Sequence, residues 1–141
     1  MTSIAGRSNA GREENNLEVA RRLWEGISSA DLRALRDLFS PKLEWTSHGR
    51  GTLAGHFYGP DAVLGLMARS GEIVDELSAS LLSLYAGAKG AIIRYRLRAD
   101  RGPLHLDTEH LLILEIDGEQ ITSLVTIPSD QYENDRFFAM Q

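Results

Sequence analysis

Cysteine is absent from this 141-residue chain. That absence excludes disulfide staples, thiolate metal sites and a cysteine nucleophile. Long apolar runs are missing as well: no stretch approaches the eighteen or so residues that crossing a bilayer requires, and the opening MTSIAGRSNAGREENN holds no apolar signal-peptide core. The cytoplasm is the expected address, without membrane attachment. Basic residues are too few and too scattered for a nucleic-acid surface. Fifteen Lys and Arg stand against twenty Asp and Glu, giving a net charge of −5, and phosphate neutralisation needs a basic stripe. There is no glycine loop of the phosphate-cradling kind and no serine-nucleophile motif.

What is present is the balance of an ordinary globular domain, 43 % hydrophobic and 25 % charged, in a chain long enough to bury a core unaided. Residues 1–14, rich in Gly, Ser, Asn and charge, are expected to be a disordered tail, with one domain over 15–141. Helical periodicity begins at Asn16, with Leu17, Ala20, Leu23, Trp24 and Ile27 on one face. Ser29 is the expected cap of a second short helix carrying Leu32, Leu35, Leu38 and Phe39, ended by Ser40-Pro41. A strand from Lys42 to His48 follows, then the glycine-punctuated loop from Gly49 to Gly55. Gly59-Pro60-Asp61 opens a third helix that Gly71 stops.

Beyond Gly71 the apolar period changes from 3.6 to 2. Four strands are predicted, Ile73–Tyr85, Ala91–Ala99, His105–Ile116 and Gln120–Ile127, the last two joined by the hairpin signal Asp117-Gly118. Ser129 or Asp130 caps a terminal helix, with Glu133 three residues after Asp130 in the capping-box position. Helices first and an antiparallel meander afterwards predict an α+β fold, helices on one face of a bent sheet and a ligand cavity at the open end.

The run Val19-Ala-Arg-Arg-Leu-Trp-Glu, Ala30-Asp31-Leu, Leu38-Phe39-Ser-Pro, Leu43-Glu-Trp45, Leu53-Ala-Gly55 and Tyr58-Gly-Pro-Asp61 resembles the SnoaL-like branch of the nuclear transport factor 2-like, or ketosteroid isomerase-like, superfamily. The ending Ile113…Asp117-Gly118…Ile121…Ser129-Asp130…Phe137 is similar to that branch too, so the likeness spans roughly residues 16–138. It implies a cone-shaped, curved antiparallel sheet with N-terminal helices on its concave face, a cystatin-like roll. It also implies a homodimer through the outer sheet face, a small-molecule pocket and no cofactor. Relatives include polyketide cyclases, isomerases, dehydratases, epoxide hydrolases and non-catalytic binding proteins. The isomerase carboxylate position falls in Trp45-Thr46-Ser47-His48, its tyrosine at Leu23 or Trp24, and the epoxide hydrolase aspartate at Thr126. None of the three carries the required group.

Parity identifies the candidate site residues. In the strand His105–Ile116 the even positions are the more apolar, which turns His110 and Thr108 inward with Leu112. The same test turns Tyr95 inward and sends Arg94, Arg96 and Arg98 outward. His110 is the candidate general acid/base, because imidazole titrates near neutrality. The alternative is a core histidine bonded to Thr108 or Tyr95. Tyr95 offers a phenolic donor for an oxyanion, or a packed ring. Trp24, Trp45, Tyr58 and His48 are candidate ligand walls, with Thr108 and Leu112 beside them. The row His105, Asp107 and Glu109 suits an outward ion-pair face better than a metal, and no metal is expected. No carboxylate is placed inside the cavity. Two functions fit. One is cofactor-independent proton transfer on a small apolar carbonyl or polycyclic compound; the other is non-catalytic binding of such a ligand, or a dimeric scaffold.

Overall fold

The computed structural model describes residues 2–50 and 53–139, so positions 51 and 52 of the expected loop lie outside the described residues. In chain order the elements are α1 (Thr2–Ser29), α2 (Leu32–Leu38), β1 (Phe39–Ser47), β2 (Gly55–Tyr58), α3 (Pro60–Glu72), β3 (Glu76–Ala86), β4 (Gly90–Arg101), β5 (Leu104–Asp117), β6 (Gln120–Pro128) and α4 (Gln131–Phe137). They form an α+β fold built on one curved, unclosed sheet of order β2-β1-β6-β5-β4-β3. The meander β3 to β6 is antiparallel throughout, and β1 joins its far side parallel to β6, which makes the sheet mixed.

Helical backbone extends upstream over 2–14, where the sequence suggested a tail. The apolar face from Asn16 onward docks the helix, and each upstream residue then adds a backbone hydrogen bond at little further cost. Residues 10–14 remain exposed. Buried Asn16 and neighbouring Asn15 fasten α1 to the sheet: their side-chain amides donate to the carbonyls of Gly87 (2.8 Å) and Gly118 (2.6 Å), one in each distal hairpin.

α1 ends in a two-bond cap, Asp31 N–H to Gly26 C=O (2.9 Å) and Ala30 N–H to Ile27 C=O (3.2 Å), with Ala30 in the left-handed region at φ 52. Asp31, rather than Ser29, then caps α2, its carboxylate accepting from Ala34 N–H at 3.1 Å. Ser29 remains inside α1 and donates to the Glu25 carbonyl instead. Gly26 permits this tight corner, since a Cβ there would press on the Leu35 side chain.

The core lies between the helices and the concave sheet face. Val19, Ala20 and Leu23 of α1 meet Ile93, Leu112, Leu114 and Leu124, with Leu35, Leu43 and Val63 closing the other side. Each such large side chain contributes on the order of 1.5–3 kcal/mol of burial free energy. Gly90 opens β4 against β5, and a Cβ there would collide with the Leu114 carbonyl. At the opposite end α4 covers β5 and β6, and Phe137 and Phe138 pack with Ala99 and Leu106.

Candidate functional site

Where the helices stand off the sheet they leave a cavity of about 470 Å³. That lies within the range of small-molecule sites. α1 supplies Trp24 and Ile27, α3 Leu66 and Met67, β1 Trp45 and Ser47, β3 Leu77 and Ala79, and β4 Tyr95 and Leu97. β5 adds His110 and Leu112, β6 Thr126, and α4 Asn134 and Asp135, with Phe138 at its C-terminal cap. The wall is mostly apolar and aromatic.

His110 and Tyr95 are directly opposed across β5 and β4, and their rings stack at 5.4 Å between centroids with 15° between planes. His110 is buried at 4 % exposure. Its Nδ1 lies 3.3 Å from Thr108 Oγ1 and its Nε2 3.2 Å from Asn134 Oδ1. With the amide in that orientation Nε2–H donates and Nδ1 accepts the Thr108 hydroxyl, which fixes one neutral tautomer. Burial is the larger influence and pulls the imidazole below its ordinary pKa, with Asn134 and Thr108 opposing. The histidine is therefore neutral at pH 7.

Tyr95 differs. Burial pushes its phenol well above the ordinary value, so it remains a donor at any physiological pH. Its ring leans on Trp24 at 5.4 Å and 43°. Its hydroxyl makes no hydrogen bond among the described residues, although the ring lines the cavity. Trp45, by contrast, is anchored, its indole N–H donating to Thr126 at 2.7 Å.

Of the residues singled out by sequence, the cavity gathers His110, Tyr95, Trp24, Trp45, Leu112 and, at its exposed mouth, His48. Two are not walls. Tyr58 is 66 % exposed and pairs with Glu44 on the outer face of β1 and β2. Parity in that hairpin sets Phe57 opposite inward Trp45, a relation hidden when residues 55–58 are read as loop and helix lead-in rather than strand. Thr108 shares the inward parity of His110 but stands beside it, as its hydrogen-bond partner and outside the cavity lining.

The expectation of a cavity without a carboxylate is corrected by Asp135. Asp135 and Asn134 were missed because nothing in a seven-residue helix says how it is aimed. A signal was nonetheless there. Gln131, Asn134, Asp135 and Phe138 follow the i, i+3, i+4, i+7 spacing of an inward stripe, yet three of the four are polar. Gln131 donates to the His48 carbonyl (3.2 Å) and to Asp135 Oδ1 (2.9 Å), and Asp135 Oδ1 also accepts from Arg50 N–H (3.1 Å). Together they latch the end of β1 to α4. Gly49 at φ 106 makes the latch possible, because a Cβ would overlap the Asp135 carboxylate. Asp130 is the α4 cap, accepting from Glu133 N–H at 3.0 Å.

The row His105, Asp107 and Glu109 faces outward, the two carboxylates in ion pairs and His105 beside Asp100. Arg94 meets Glu109, Arg96 meets Asp107 at 2.7 Å, Arg98 meets Asp107 at 3.5 Å, and His105 meets Asp100 at 2.5 Å.

Comparison with known proteins agrees with this architecture. An uncharacterized protein of Mycobacterium tuberculosis is 28 % identical over 129 residues, which cover 90 % of this chain and 98 % of the relative. The structure of Bal32a, from a soil-derived mobile gene cassette, has a TM-score of 0.85 at 27 % identity, covering 90 % of this chain and 98 % of its own. A putative SnoaL-like polyketide cyclase from Jannaschia sp. CCS1 has a TM-score of 0.75 at 13 % identity, covering 92 % and 94 %, a likeness of fold alone. The SnoaL-like domain family matches residues 20–124, the span that runs from α1 through β6 and builds most of the cavity. With that match over most of its length, the chain belongs to the SnoaL-like domain family.

Proposed function

We propose that this protein binds a small, flat, largely apolar molecule in the cavity, with a carbonyl or similar acceptor directed at Tyr95. The observation that carries this is the Tyr95 hydroxyl, which lines a mostly apolar wall and makes no hydrogen bond among the described residues. A donor covered by an apolar ligand without gaining a partner costs about 1–3 kcal/mol, and a ligand acceptor placed at the Tyr95 hydroxyl avoids that cost. Trp24 and Trp45 supply ring surface for a flat ligand, and Leu112 supplies apolar contact. The test is calorimetric titration of wild type and Tyr95→Phe with acetylnaphthalene, a flat ketone. The expected result is a loss of roughly tenfold in affinity in the variant, the size of one hydrogen bond. Equal affinity in the two proteins would refute the assignment.

The stacking of His110 on Tyr95 favours a second reading, cofactor-independent proton transfer at the same place. A neutral imidazole removes a proton from the carbon beside the carbonyl, and Tyr95 donates to the resulting enolate oxygen. The proton is later returned to a different carbon. Isomerisation of a polycyclic ketone fits this scheme; dehydration fits when the proton goes instead to a hydroxyl that leaves as water, and cyclisation when the enolate carbon attacks a second carbonyl whose alkoxide takes the proton. The basic nitrogen of that tautomer is Nδ1, which accepts the Thr108 hydroxyl, so this reading requires the Thr108 bond to yield when substrate arrives, while Nε2–H stays on Asn134, where an acid/base histidine usually has a carboxylate partner. Exchange of α-protons of the bound ketone in D₂O, lost in His110→Gln, supports catalysis; no exchange leaves binding.

The protein is further proposed to pair with a second copy through the outer sheet face. Ile92, Leu111, Ile113, Val125 and Ile127 form an apolar band there, and Tyr85, 54 % exposed, borders it. Light scattering that finds only monomer at every concentration would overturn this.

A further inference from the structure

Asp135 is the one Asp, Glu, Lys or Arg side chain among the described residues lining the cavity. Its two oxygens are not equivalent. Oδ1 accepts both protein hydrogen bonds, from Arg50 N–H and Gln131 Nε2, while Oδ2 accepts none among the described residues. The ion pairs found elsewhere in the chain do not include it. A carboxylate with one oxygen pinned by a latch is pre-oriented, and the free oxygen can take a charged partner without reorganisation. Among the described residues no Lys or Arg side chain lines the wall to compete for that role, and burial pulls the His110 imidazole below its ordinary pKa. Four aromatic rings share the cavity, those of Trp24, Trp45, Tyr95 and Phe138, and ring faces attract cations. The net charge of −5 biases the surroundings the same way.

We propose that the cavity selects a cationic ligand, an aromatic or polycyclic compound carrying a protonated amine, whose ammonium group pairs with Asp135 while its acceptor faces Tyr95. This rests on the pocket assignment above and adds to it the charge of the ligand. It distinguishes this site from an apolar pocket that is indifferent to charge, and it excludes acids, whose carboxylate would meet Asp135 with no compensating cation.

The test titrates the full chain with three probes of one shape: acetylnaphthalene, its aminomethyl derivative and its carboxylate derivative. The aminomethyl compound is expected to bind about tenfold more tightly than the ketone, and the carboxylate compound about tenfold more weakly, in line with one charge-assisted hydrogen bond gained or one repulsion added. In Asp135→Asn the amide keeps an Oδ1 acceptor for Arg50 N–H, and the amine-to-ketone affinity ratio is expected to collapse toward one. If that variant fails to fold, salt decides on the wild type. The amine advantage should shrink as ionic strength rises, because screening weakens the pair. An amine that binds no better than the ketone, or an advantage that survives both Asp135→Asn and high salt, overturns the proposal and leaves the pocket assignment standing. Failure of all three probes to bind overturns both.

Discussion

Strands β4 and β5 present one backbone to two environments, and their faces handle polar groups in opposite ways. On the outer face polar groups are many and inexpensive. Arg94, Arg96 and Arg98 of β4 alternate with apolar neighbours and reach across to Asp107 and Glu109 of β5, each ion-pairing side chain more than 40 % exposed. Such pairs gain little over water. On the inner face polar groups are few and each is individually placed: Tyr95, His110 and its partner Asn134 among Ile93, Leu97, Leu112 and Leu114. There a polar group covered without a partner is costly, so the Tyr95 hydroxyl, unpaired among the described residues, carries more information about function than the whole outer ladder.

The sharpest way to break this comparison uses two adjacent residues. Leu114 is 2 % exposed on the inner face, and Leu114→Ala should cost about 3 kcal/mol in urea-monitored stability. Ile113, next in the chain but facing out, should tolerate Ile113→Lys with its fold intact, while light scattering reports loss of the proposed dimer. Comparable destabilisation by the two changes would mean that the outer face is buried by something other than a second copy.

A smaller effect is expected from His110. Its folded pKa is depressed below the unfolded value near 6.5, so the unfolded chain takes up a proton first as pH falls. Stability from this group is therefore complete above about pH 7 and declines as pH drops through 6.5 toward the folded pKa. Thermal melts across that window should show the slope in wild type and a flatter one in His110→Gln. An identical slope in both would show that other groups set the acid response. Smallest of all is Arg96→Ala. Although the Arg96 hydrogen bond holds the Asp107 carboxyl below its usual range, both groups lie in solvent, and no resolvable change in Tm is expected.

Why one end of the cavity was legible in the sequence, and the other was not, follows from the same contrast. The alternation in β4 and β5 is a local code, and burial of the even residues of β5 and the odd residues of β4 follows from parity alone. The Asp130 cap and the Asp117-Gly118 turn are likewise written in neighbouring residues. Asn134 and Asp135 depend on how α4 docks, which is settled by Phe137 and Phe138 packing on Ala99 and Leu106, more than thirty residues away along the chain. β2 was hidden for a related reason. Four residues after a glycine-rich loop acquire strand geometry only because β1 offers a partner, and with that pairing Tyr58 turned outward. The start of α1 was missed because its first half has no apolar face for periodicity to reveal.

The chain contains two tryptophans, and both lie in the wall of the cavity. Every photon of indole emission therefore originates at the site itself. Trp24 rests against Tyr95, and Trp45 is held through its N–H to Thr126, so the two fluorophores report from the helix side and the sheet side of the same space. A ligand that enters has to alter their surroundings, and the wavelength and lifetime of the native protein become an intrinsic gauge of occupancy that needs no label.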